Sequence, residues 1–96
     1  MREELINTEA ERYIEAWYDT YDRVRDRGIV QWMVSNVMRD IEEWAEGRDG
    51  NGSNALGFTP AESLALYSRL ASVATSYNFC PDPNMSKGQK RQTDFF

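Results

Sequence analysis

Residues 47–58 place four glycines within twelve positions, and the stretch runs directly into Thr59-Pro60-Ala61-Glu62. That junction constrains the fold more than any other feature of the chain. The glycines leave the backbone too free for regular structure. The four residues after them form a helix start. The Thr59 hydroxyl can accept from the amide of Glu62, and the Glu62 carboxylate can reach back to the amide of Thr59. Pro60 fits the first helical position, where a missing N–H costs nothing. The chain is therefore divided into a long N-terminal helical part and a shorter C-terminal one.

Apolar spacing predicts two helices before the loop. Ala10, Ile14, Trp17, Tyr21 and Val24 recur every three or four residues, and Tyr13 and Tyr18 widen the stripe. Thr8 and Glu11 form a second capping pattern, so the spacing predicts a helix over about 8–27, which residues 2–6 could extend at its front, with Gly28 as its left-handed terminator. Val30, Met33, Val37, Ile41 and Trp44 make the stripe of a helix over 29–46, with Val34, Met38 and Ala45 beside it. The start of this segment is rich in β-branched and aromatic residues and could open a strand. The stripe continues for three more turns without a breaker, which favours helix. A third helix over 60–77 would bury Leu64, Tyr67, Leu70, Ala71, Ala74 and Tyr77, and Pro81 and Pro83 prevent its continuation. The expectation is an all-α fold: a small three-helix bundle over 1–78, followed by a flexible tail over 79–96.

Ninety-six residues suffice for one domain with a limited core. Three Trp, five Tyr and four Phe are more rings than three short helices enclose. Trp32 lies off its helix's main stripe. The surplus points to a homodimer that packs helices 1 and 2 across its interface. A single cysteine, Cys80, allows no internal disulfide, and no apolar leader follows the charged N-terminus. Both features suit the cytoplasm. No apolar run is long enough to span a membrane.

Catalytic equipment is sparse. The chain has no histidine, which removes the commonest general base and transition-metal ligand. Cys80 has no His to activate it. Glu42, Glu43 and Glu46 read as a solvated charge run. In the glycine-rich loop Asp49, Asn51, Ser53 and Leu56 fall at positions 1, 3, 5 and 8 of a calcium-binding loop. Position 6 is Asn54 where glycine is needed, and position 12 is Pro60 where a bidentate Glu is needed. No enzyme activity, cofactor or metal is expected.

Charge is unevenly placed. Residues 1–78 carry eight Arg against fourteen Asp or Glu, a net of −6, while 79–96 are net +1 and hold both lysines of the protein. An acidic body disfavours direct nucleic-acid binding, which depends on phosphate neutralisation. Glu11, Glu15, Asp19, Asp22 and Asp26 line one face of the first helix. Such a face could imitate phosphate charge toward a basic protein, as in an acidic phage-type inhibitor. Plain solvation is the simpler reading.

The tail ends Gln92-Thr93-Asp94-Phe95-Phe96. This resembles the peptide of form Gln-x-Asp/Ser-Leu-Phe by which bacterial DNA polymerases and repair proteins dock on the replicative sliding clamp. Gln92, Asp94 and Phe96 match its leading glutamine, acidic position and terminal aromatic, and Phe95 stands in for Leu or Met. Thr93 replaces a usual small apolar residue or Leu. An alignment from Gln89 to the longer peptide of eukaryotic and archaeal clamps puts Gln92 where that form needs an apolar residue. The bacterial form is therefore the better match. The resemblance implies a small accessory or inhibitor of DNA replication or repair, anchored through Gln92, Asp94, Phe95 and Phe96. Lys87, Lys90 and Arg91 would aid encounter with an acidic clamp rim. The alternative is that Phe95 and Phe96 fold back onto the helical body.

Overall fold

The computed structural model describes residues 1–76, which form three α-helices and no strand. Helix α1 spans Glu3–Val24, α2 spans Arg27–Ala45 and α3 spans Pro60–Ser76. Each helix packs on the other two. The all-α three-helix bundle expected from the sequence is the observed fold. The expected tail over 79–96 lies outside the described residues, as does Tyr77.

The core is drawn from all three helices and from the loop. Ile6 and Trp17 of α1, Val30, Val34 and Ile41 of α2, and Leu66 and Leu70 of α3 are almost entirely enclosed. Ala10, Trp44, Ala74 and Phe58 complete the cluster. Burying one such large side chain contributes about 1.5–3 kcal/mol before chain entropy is counted. The stripe expected for α2 is confirmed at Val30, Ile41 and Trp44, while Met33 and Val37 are half-buried. The α3 stripe is rotated from expectation. Leu64 is 60 % exposed, and Ser63 and Leu66 face inward instead. Apolar residues surround most of α3, so spacing alone could not choose its inner face.

Helix α1 starts earlier than its Thr8–Glu11 capping pattern implied. Thr8 sits exposed inside the helix, which opens at Glu3. The reason is a contact distant in sequence. The backbone amide of Arg2 donates to Glu62 Oε2 at 2.8 Å, and its guanidinium reaches both carboxylate oxygens. Arg2 also donates to the carbonyls of Leu56 and Gly57 and lies 5.5 Å from the Phe58 ring centroid. Arg69 of α3 adds hydrogen bonds to Glu3 and Asn7. The first turn of α1 is thus pinned to α3.

The turn between α1 and α2 also differs from expectation. Arg25, not Gly28, takes the left-handed conformation that ends α1, with φ 54° and its amide bonded to the Tyr21 carbonyl. Asp26 caps α2 by accepting from the amides of Gly28 and Ile29. Gly28 lies within α2. The Thr59–Glu62 box at the start of α3 forms as expected, with reciprocal bonds of 3.1 and 3.0 Å.

Candidate functional site

Of the loop residues weighed as calcium ligands, Ser53 and Leu56 serve the fold, as acceptors for Trp44 and Arg2. Gly50 is buried with φ 60°, and this lets the chain pass close under Trp44. The indole N–H of Trp44 donates to the Ser53 hydroxyl at 3.0 Å. The Asn54 side chain bonds both the amide and the carbonyl of Phe58. Phe58 then stacks on Trp44 with ring centroids 6.2 Å apart. Among the described residues, no group of three or more Cys, Asp or Glu is placed to hold a metal ion.

Between this loop and α1 lies a cleft of about 310 Å³, lined by Glu9, Arg12 and Tyr13 of α1, Trp44 of α2, and loop residues including Leu56 and Phe58. The Glu9 carboxylate is largely enclosed and accepts two hydrogen bonds from the Arg12 guanidinium. That bonding raises the Arg12 pKa, so the guanidinium stays charged. Burial, then the nearby Glu9 charge, pushes the Tyr13 phenol above its ordinary value. Tyr13 therefore remains a neutral hydroxyl at physiological pH. The cleft holds a closed ion pair, a phenol and two stacked rings, with no nucleophile set against a base. It offers shape and aromatic surface rather than acid–base chemistry.

The acidic residues singled out in the sequence are only partly united. Glu11, Glu15, Asp19 and Asp22 are exposed at spacings of four, four and three on α1, a run about 16 Å long at the helical rise. Asp19 is engaged by Arg23 at 3.2 Å. Glu11, Glu15 and Asp22 make no ion pair among the described residues. Asp26 lies beyond the end of α1, where its carboxylate caps α2, so it leaves the proposed charge array. An Asp just before an apolar-periodic segment is a capping signal, and it would have revealed this role from the sequence. The tail residues Gln92, Asp94, Phe95 and Phe96 lie outside the described residues. The cleft had no local signal, because its two walls come from segments about forty residues apart.

Comparisons with protein-family models, curated proteins and solved structures found no match.

Proposed function

We propose that this protein is a non-enzymatic binding protein of DNA replication or repair, docking on a bacterial sliding clamp through Gln92, Asp94, Phe95 and Phe96. The peptide sequence carries this reading. The Gln92 amide can donate and accept at once, and two adjacent aromatic side chains can anchor in a preformed pocket. Fifteen residues separate Ser76 from Gln92, which is enough chain to present the peptide away from the bundle. The helical body is the part held near the clamp, where it can recruit or block a second protein. Tethering raises local concentration without requiring new contacts.

Deletion of residues 89–96 tests the proposal. Clamp binding by the full chain should be lost while the helical circular dichroism is retained. Binding that survives the deletion would contradict it.

A second reading, an acidic inhibitor, has its own support in the exposed carboxylates of Glu11, Glu15 and Asp22, which make no ion pair among the described residues. It calls for strongly salt-sensitive binding to a basic protein. Charge reversal at Asp19 and Asp22 should abolish that binding, whereas tail deletion should not.

A further inference from the structure

Helix α2 carries its charges against its own dipole. Helix α1 begins with Glu3 and Glu4 and has Arg23 in its last turn, as a helix dipole favours. Helix α3 has Glu62 in its first turn. In α2, apart from the Asp26 cap, the first turn has no acid and opens on Arg27. Its last turn has no base and holds Glu42 and Glu43, followed by Glu46, which pairs with Arg48. Exposed Arg25 adds to the basic end. A helix arranged in this way is unfavourable in isolation and favourable beside an antiparallel copy of itself.

The outward face of α2 supplies the contact. Trp32 is 68 % exposed and Ile29 43 % exposed, although both are large apolar side chains on a regular helix. Arg39 lies two turns beyond Trp32 on the same face, exposed, with its guanidinium bonded to Asn36. Gly28, one turn before Trp32, leaves the neighbouring backbone open to close approach. An added Cβ there would meet only the Asp26 carboxylate.

We infer that the protein self-associates through this face, as a two-fold dimer in which α2 packs antiparallel against α2 of a second copy. A two-fold axis between residues 35 and 36 sets Trp32 of each copy over Arg39 of the other, giving two equivalent cation–π contacts. The same axis brings Arg25 of one copy, stacked on its own Tyr21, to Glu43 of the other. The basic and acidic ends meet twice, and the two helix dipoles oppose. A 19-residue helix is about 28 Å long and 10 Å wide. Its footprint is then about 300 Å², below the roughly 800 Å² per partner of a standard stable interface. The dimer is accordingly weak, with a dissociation constant in the micromolar range.

Sedimentation equilibrium of the full chain over micromolar to submillimolar concentrations tests this. A reversible monomer–dimer equilibrium is expected. Trp32→Ala should weaken it at least about tenfold while leaving the helical circular dichroism unchanged, since the ring lies outside the core. Arg25→Glu should also weaken it, and adding Glu43→Arg in the same chain should restore it, because the reversed charges then meet each other. A monomer throughout that range would overturn the inference. So would a dimer indifferent to Trp32→Ala, a double charge variant that fails to recover, or a monomeric chain whose Trp32 face is occupied by residues 77–96 or by another protein.

Discussion

Replacing Gly50 with alanine should be far more damaging than the same change two residues later, and the difference can be worked from the structure. Gly50 and Gly52 both have positive φ, 60° and 84°. Alanine in that region costs about 1–2 kcal/mol at either position. At Gly52 nothing lies within 4 Å of the added Cβ. At Gly50 the Cβ would stand 2.7 Å from both the Trp44 indole nitrogen and the Ser53 hydroxyl. Trp44 cannot retreat, because it is 3 % exposed and stacked on Phe58. Ser53 can rotate away, but the indole N–H then loses its acceptor. Leaving a buried donor unpaired costs about 1–3 kcal/mol. Gly50→Ala should therefore be about 2 kcal/mol less stable than Gly52→Ala. For a domain of this size each kcal/mol shifts the melting midpoint by about 4–8 °C. Thermal unfolding followed at 222 nm, with Trp fluorescence as a second probe, should show midpoints roughly 10 °C apart. Equal midpoints for the two variants would refute the close packing of the loop under Trp44.

Two further outcomes follow from the core and from the latch between α1 and α3. Leu66 is fully enclosed, so Leu66→Ala should lose about 2–5 kcal/mol in urea unfolding with little change in the urea dependence. A loss below about 0.5 kcal/mol, the range of surface substitutions, would place Leu66 outside the core. Glu62 is held well below its ordinary carboxylate value of 4.5, first by the Arg2 side chain and then by the amides of Thr59 and Arg2. A depressed folded-state pKa contributes stability above the unfolded value, and that contribution is lost as the carboxylate takes up a proton at lower pH. Stability should accordingly decline as pH falls below about 4.5, and Glu62→Gln should flatten that decline while lowering stability at neutral pH. An unchanged acid limb in Glu62→Gln would show that other carboxylates govern it.

The fold was legible where the signals are local. The Thr59–Glu62 box marked a real helix start because both of its hydrogen bonds lie within one turn. Thr8–Glu11 has the same spacing and failed, because Arg2 meets Glu62 sixty residues away and fixes α1 five residues earlier. No local pattern carries that contact. Trp32 read correctly as off the core stripe, since helical phase is a local property. Phe58 lies in the loop yet belongs to the core, and no spacing shows this, because its burial depends on Trp44 and on the Asn54 side chain folding back on its backbone. Asp26 continues the acidic spacing of α1 in the sequence, but it stands past the residue that ends that helix. The cleft was invisible to spacing, because only the packed bundle brings Glu9, Arg12 and Tyr13 to Trp44.

Docking through the C-terminal peptide is tested most directly by titrating a fluorescent peptide of residues 85–96 against a bacterial sliding clamp. Phe95→Ala/Phe96→Ala serves as the control. Saturable binding in the micromolar range, lost in the control, is the expected result. No binding, or equal binding by the control, would contradict clamp docking and direct attention to the helical body.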